Sequence, residues 1–210
     1  GTTTMIFIKR LKNTVTNIYT RSLYGWSKTC NERGEYLRAL NFSTRATTLK
    51  PDFIEAHIER GIALSRCGHH QDAIATFDHL LADDPRNVDL LVHRGLVHYY
   101  SEDYAGAIAD YNVAIYYKST HTVAYLYRGL AEYGQGNLTA AISDYNAAIK
   151  CDPNNVVAYR RRADIRVKQG RISDALNDYF IYLQKGVTQA YSQRKEVAAL
   201  IGELRLRQRR

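Results

Sequence analysis

The chain has 210 residues, of which 45% are hydrophobic, 24% are charged and three are proline. No apolar run approaches the roughly 20 residues that cross a bilayer, so no membrane span is expected. The three cysteines, an odd number without CxxC spacing, argue against a disulfide framework or a zinc site. They favour a reducing, intracellular compartment.

The net charge of +8 is concentrated at the two ends of the chain. Residues 1–31 carry five bases and no acid, and residues 194–210 carry six bases and two acids. The segment between them holds 18 bases and 19 acids, so it is close to neutral. Contacts with the phosphates of a nucleic acid would therefore be expected at the ends rather than in the middle.

Residues 1–19 form a basic segment in which Ile8, Leu11, Val15 and Ile18 recur at helical spacing. Two interpretations fit it equally well. It is either a helix that caps the following part of the chain or a mitochondrial presequence, which is also basic, Thr-rich and free of acids. The cytoplasm is the favoured location of the protein, and the mitochondrion is the alternative.

A pattern with a period of 34 residues runs through the remaining chain. Small, aromatic and helix-ending residues each return at this interval. The columns are Ala39, Ala73, Ala107, Ala141 and Ala175; Phe77, Tyr111, Tyr145 and Tyr179; Gly61, Gly95 and Gly129; and Pro51, Pro85 and Pro153, with Ser119 at the missing proline. A fixed period of this length indicates a repeat array.

This period and combination of residues resemble the tetratricopeptide repeat. The resemblance implies an all-α fold: a right-handed superhelical array of about five antiparallel helix pairs, with flanking N- and C-terminal helices. The repeats are expected at 20–53, 54–87, 88–121, 122–155 and 156–189. Residues 190–210 are expected to form a capping helix with a basic tail.

The repeat at 122–155 carries the pattern most completely. Its first helix, helix A, is predicted over residues 122–135, and its second, helix B, over 138–150. Pro153 ends helix B because proline cannot continue a helix. Gly129 is expected where the two helices approach closely, with Tyr145 filling the space beside it.

Charged residues also recur with the period. Arginine stands at residues 60, 94, 128 and 162, and an aspartate follows sixteen residues after the last three. We expect structural ion pairs between helices A and B, namely Arg94–Asp110, Arg128–Asp144 and Arg162–Asp178. The alternative is a ladder of arginines that binds phosphate. The repeat with Arg60 has Thr76 in place of the aspartate.

No arrangement of residues indicates catalysis, which requires a nucleophile or an acid–base pair held in a pocket. His69 and His70 are adjacent turn residues without a carboxylate partner and do not make a metal site. We therefore expect a non-enzymatic protein without a cofactor or a metal.

The resemblance further implies that helix A of each repeat lines a concave groove. The corresponding positions are Ile58, Ile62, Val92, His93, Leu96, Tyr99, Tyr100, Leu126, Tyr127, Leu130, Tyr133, Arg160, Arg161 and Lys168. The middle of this groove is apolar and rich in tyrosine, which suits an apolar or amphipathic protein segment. Its C-terminal end is basic.

Two functions fit this sequence. The favoured one is a non-enzymatic scaffold or adaptor that binds a protein partner in the groove, within a larger multi-subunit assembly. The alternative is a basic tetratricopeptide subunit of a ribonucleoprotein or mitochondrial complex, which contacts nucleic acid through its termini.

Overall fold

A computed structural model describes residues 2–186 and 191–208. Within these residues the chain forms eleven α-helices and no strand, which confirms the predicted all-α class. The helices are α1 (Thr2–Glu32), α2 (Tyr36–Leu49), α3 (Ile54–Arg66), α4 (His70–Asp83), α5 (Val88–Tyr100), α6 (Tyr104–Tyr117), α7 (Thr122–Gly134), α8 (Leu138–Cys151), α9 (Val156–Lys168), α10 (Ile172–Lys185) and α11 (Tyr191–Gln208). Residue 190 and the end of the basic tail, Arg209 and Arg210, lie outside the described residues.

The chain divides into two compact units, Gly1–Asp103 and Tyr104–Arg210. The N-terminal unit contains α1 to α5, and each helix packs against the next; α3 also contacts α1 and α5. The C-terminal unit contains α6 to α11, again with each helix packed on its successor. Helices α3, α5, α7 and α9 are helix A of their repeats, and the even-numbered helices α2 to α10 are helix B.

The turn between helices A and B uses a left-handed residue in every repeat. Gly34, Gly68, Gly136 and Gly170 have φ angles of 77°, 85°, 85° and 73°. Glycine adopts this conformation without the steric cost that a Cβ brings. The repeat at 88–121 places Glu102 at the same turn with φ of 63°, the one non-glycine residue at positive φ within the described part of the chain.

Close contact between helices A and B explains the glycine and aromatic columns. Tyr145 is 1% exposed, and a Cβ added to Gly129 would lie 2.7 Å from its ring carbon Cε1. Phe77 is fully buried, and a Cβ on Gly61 would lie 2.7 Å from its Cε2. A ring and a helix backbone therefore meet where the periodicity placed them.

Helix α1 is a single element of 31 residues. It runs through residues 19 and 20, where the sequence predicts the boundary between the basic segment and the first repeat. Burial nevertheless begins at that point, because Thr20, Leu23, Ser27 and Cys30 are buried at helical spacing. No helix among the described residues is both long enough and apolar enough to cross a membrane.

Helix α11 covers the last repeat. Val197, Ile201 and Leu204 are at most 5% exposed and pack in one cluster with Tyr179 and Tyr182 of α10. These three residues belong to the apolar stripe that a capping helix requires, since the last pair of a repeat array has no following repeat to cover it.

Candidate functional site

The predicted groove residues of the N-terminal unit lie on α3 and α5, which contact each other. Most of them are partly exposed, but Val92 is only 5% exposed. The ring of His93 stacks on the buried ring of Phe77, with centroids 5.8 Å apart and planes inclined by 7°. Burial lowers the pKa of His93, and Asp89 opposes this effect. Val92 thus serves packing between helices, which corrects its assignment to an open groove. His93 packs on Phe77 through its ring but stays partly exposed, and its place in the groove remains a prediction.

The remaining residues form what we call the N-terminal helix-A face: Ile58, Ile62, Leu96, Tyr99 and Tyr100. Each of them is half-buried. The rings of Tyr99 and Tyr100 meet edge to face at 5.6 Å, and the guanidinium of Arg66 lies 4.5 Å from the Tyr100 ring centroid. The face therefore combines aliphatic and aromatic surface with one cation.

In the C-terminal unit, Leu126 is 9% exposed and belongs to the core cluster around Tyr145. Its burial removes it from the predicted groove. Tyr127, Leu130 and Tyr133 pack against the same cluster but stay partly exposed.

Lys168 of α9 adds a cation to this surface of α7. Its Nζ donates to the Tyr133 hydroxyl and lies 4.6 Å from the centroid of that ring. We call Tyr127, Leu130, Tyr133 and Lys168 the C-terminal helix-A face.

The predicted basic end of the groove is partly neutralised. Arg160 donates to Glu196 of α11 at 3.0 Å, and its guanidinium lies 5.8 Å from the Tyr182 ring centroid. Arg161 is exposed, with Asp164 at 4.0 Å. The capping helix thus supplies an acid that sequence periodicity does not reveal.

The arginine column is used in helix packing. Arg128 donates from Nε and Nη2 to Asp144 at 2.9 and 2.6 Å, and these bonds raise the pKa of its guanidinium. Arg162 donates to Asp178 with the same two distances. Asp178 also accepts from Arg166 at 2.6 Å. Arg94 and Asp110 belong to different units, and their pairing stays a prediction.

A second column of residues, which was not predicted from the sequence, accepts hydrogen bonds from Arg94, Arg128 and Arg162. Each of these arginines also donates from Nη1 to a residue sixteen positions earlier, on helix B of the preceding repeat. The pairs are Arg94–Asp78 at 2.6 Å, Arg128–Asn112 at 2.7 Å and Arg162–Asn146 at 2.6 Å. The 34-residue spacing of Asp78, Asn112 and Asn146 could have revealed them, although the mixture of acid and amide obscures the pattern.

The histidines and cysteines form no chemical centre in the described part of the chain. No group of three His, Cys, Asp or Glu residues lies close enough there to hold a metal ion. Cys30, Cys67 and Cys151 are free thiols, and Cys30 is buried.

The sequence matches two family descriptions of repeats. Residues 58–120 match "Tetratricopeptide repeat" and residues 129–170 match "TPR repeat". Tetratricopeptide repeat protein 28 of Mus musculus and of Homo sapiens are each 40% identical to the chain over 58 residues. This alignment covers 28% of the chain and only 2% of those relatives.

Solved structures share the fold at low sequence identity. The yeast Tom70 structure has a TM-score of 0.77 with 16% identity, covering 97% of this chain and 43% of Tom70. A thermophilic TPR protein of Thermus thermophilus has a TM-score of 0.73 with 16% identity, covering 89% and 99%. MamA of Desulfovibrio magneticus RS-1 has 0.66 with 21% identity, covering 81% and 97%.

The repeat period, the packed helix pairs and these matches agree with one another. Tetratricopeptide repeat proteins are generally non-enzymatic and bind other proteins. The chain belongs to the tetratricopeptide repeat family.

Proposed function

We propose that the protein is a scaffold or adaptor that binds an apolar or amphipathic segment of a protein partner on a helix-A face, within a larger assembly. The observation that carries this proposal is the set of half-buried aromatic and aliphatic side chains on consecutive A helices. Tyrosine offers a large apolar ring with few rotatable bonds and a hydroxyl for hydrogen bonding, which is why it concentrates binding energy at interfaces. The proposed location is the cytoplasm, and the free thiols are consistent with it.

Ion pairing of the basic residues favours a protein partner over nucleic acid. Arg160, Arg162, Arg166 and Arg171 each have a carboxylate partner within 3.0 Å. A guanidinium held by a carboxylate in this way offers less charge to a phosphate backbone, on which nucleic-acid affinity depends. Contact through the basic termini remains the alternative function.

The test is a selection of displayed peptides on the whole chain, followed by measurement of the Kd of the best peptide. We expect selected peptides to carry apolar residues at helical spacing. Tyr127→Ala should weaken binding by about 1–3 kcal/mol, because it removes one aromatic contact from the C-terminal helix-A face.

Tyr116→Ala is the matched control, since Tyr116 lies on helix B of the same unit and is 82% exposed. It should leave the Kd unchanged. Equal losses in the two variants, or selection of acidic peptides without apolar residues, would contradict the proposal. A salt titration with generic RNA tests the alternative, because phosphate-driven affinity falls steeply as salt rises.

A further inference from the structure

Arg60 differs from the other arginines of its column in the residues that face it. Arg128 and Arg162 each donate to an aspartate sixteen positions later and to an asparagine sixteen positions earlier. The residues at the same offsets from Arg60 are Thr76 and Thr44. Neither carries a carboxylate or an amide, so the chain places a hydroxyl at both acceptor positions.

The guanidinium of Arg60 makes no hydrogen bond or ion pair with any residue that the structure describes, and its Nε is buried. The Thr76 hydroxyl does not turn toward it but donates to the Asp72 carbonyl at 2.8 Å. A buried N–H without an acceptor is rare in folded proteins, and an arginine stays charged at all physiological pH values. This side chain therefore lacks an anionic partner that its equivalents in later repeats have.

A cavity of about 280 Å³ opens beside Arg60. It is lined by His57, Arg60, Asp72, Ala75, Thr76 and His79. This volume lies just below the roughly 300–1,000 Å³ of pockets for drug-sized ligands, and it has room for a single acidic group.

Several residues that line the cavity depart from the pattern of the repeat at 122–155. His57 stands where that repeat has Tyr125, and His79 stands where it has Ala147. Together with Thr76, these changes put a hydroxyl and two imidazoles beside the arginine, where the later repeat has a carboxylate.

Two groups around the cavity limit what it can bind. His57 Nε2 donates to the Pro51 carbonyl at 2.8 Å, so that nitrogen is already occupied. Asp72 brings a negative charge to the wall of the cavity and disfavours a second anion there. Arg60 is therefore the group that would hold an anion, and Asp72 would weaken the binding.

We propose that Arg60 and this cavity bind a carboxylate supplied from outside the chain, in the position that Asp144 and Asp178 occupy in their own repeats. The guanidinium fork matches the two oxygens of a carboxylate, as the Arg128–Asp144 and Arg162–Asp178 pairs illustrate. The site is separate from the helix-A faces, so its test can fail while the proposed scaffold function stands, and the reverse holds as well.

The experiment follows the Arg60 Nε–Hε resonance of the whole chain by NMR, with Arg60→Lys used to assign it. Sodium acetate should shift this resonance saturably, and sodium chloride at equal ionic strength should not. Thr76→Asp supplies an internal carboxylate and should abolish the acetate response. Asp72→Asn should lower the acetate Kd severalfold. No saturable shift in the wild type, or an equal shift in Thr76→Asp, would overturn the proposal.

Asp144→Thr is the converse variant, because it gives Arg128 the same neighbour that Arg60 has. The Arg128 Nε–Hε resonance should then gain an acetate response that the wild type lacks. This measurement keeps the proposal open to refutation even if Thr76→Asp does not fold, since a silent Arg128 in Asp144→Thr would count against it.

Two further titrations identify the source and class of the anion. Tighter binding of acetyl-Gly-Glu-Gly-amide than of acetate assigns the carboxylate to an acidic side chain of a protein partner. Tighter binding of acetate assigns it to a small organic acid. If phosphate saturates the shift at a lower concentration than either, the carboxylate class is wrong.

Discussion

The repeats at 54–87 and 122–155 share a backbone plan but differ in how they treat their arginine. Both place a buried ring against a helix-A glycine, Phe77 on Gly61 and Tyr145 on Gly129. In the later repeat Arg128 has a bidentate carboxylate partner, whereas in the earlier one Arg60 has none among the described residues.

This difference separates two kinds of periodic feature. The glycine and the ring are required by the approach of two helices, so the same contact recurs in both repeats. The ion pair between the arginine and its acceptor is an additional interaction, which the close approach of the two helices does not require. It can be lost in one repeat without loss of the helix pair, which leaves Arg60 without the carboxylate that Arg128 has.

The largest expected effect tests the shared part of the comparison. Phe77→Ala and Tyr145→Ala should each lower the free energy of unfolding by about 3–5 kcal/mol, because each leaves a large cavity between helices A and B. Urea unfolding measures the loss. Tyr116→Ala is the exposed control and should stay within about 0.5 kcal/mol of wild type. Melting temperatures of the two buried variants within a degree or two of wild type would contradict the packing role.

The second effect tests the part that differs. Asp144→Thr should cost about 2–3 kcal/mol, since it leaves a partly buried guanidinium without its bidentate acceptor. The side chain of Arg128 is 21% exposed, so water compensates for part of the loss. A double-mutant cycle with Arg128→Met should give a coupling energy above about 0.5 kcal/mol. Additive losses would mean that the pair does not couple.

A smaller change, this time a gain in stability, is expected in the repeat at 54–87. Thr76→Asp should raise the free energy of unfolding by about 1 kcal/mol at neutral pH, because it gives Arg60 the charge-assisted partner that Arg128 has. Thermal unfolding of the variant alone and combined with Arg60→Met measures it. If the gain persists without the arginine, the new carboxylate does not act through Arg60.

The smallest effect concerns a carboxylate that only the earlier repeat has. Glu59 stands where the later repeat has Tyr127, it is 9% exposed, and Asn31 Nδ2 donates to its Oε2 at 2.7 Å. Burial raises the pKa of Glu59, while the Asn31 hydrogen bond opposes this effect. The folded protein therefore takes up this proton at a higher pH than the unfolded chain does.

As pH falls from 7 toward 4.5, the ordinary pKa of glutamate, the wild type should gain stability relative to Glu59→Gln. The gain should be small, because the Asn31 hydrogen bond offsets part of the effect of burial. Urea unfolding at the two pH values measures it, with the exposed Glu55→Gln as the control on the same helix. A loss of relative stability at low pH would reverse the assigned direction.

The helix pairs were predictable because local signals fix their ends. Helix A was expected over residues 122–135 and is found at Thr122–Gly134, since Gly136 makes the turn. The continuity of α1 follows from the same kind of signal, because no glycine or proline interrupts the chain near residue 19. The boundary expected there came from counting repeats back from residue 20, and not from a residue that ends a helix.

The candidate surface was less predictable than the helices. The position of a residue within its repeat predicts whether it lies on helix A. It does not predict whether neighbouring helices bury that residue. Val92 and Leu126 are buried, and Glu196 reaches Arg160 from a helix that lies outside the repeats. Such contacts depend on distance in space, which a 34-residue period does not encode.

The exposed first half of helix α1 depends on the packed second half to form its hydrogen bonds. Every side chain described between Thr4 and Tyr19 is exposed, and burial starts at Thr20. An isolated helix of about 16 residues is marginal in water because its first turn is costly to nucleate. The packed second half removes that cost, so the first half elongates one hydrogen bond at a time from a ready-made end. Its amide protons should then exchange with solvent in a graded series, fastest far from Thr20 and slowest beside it.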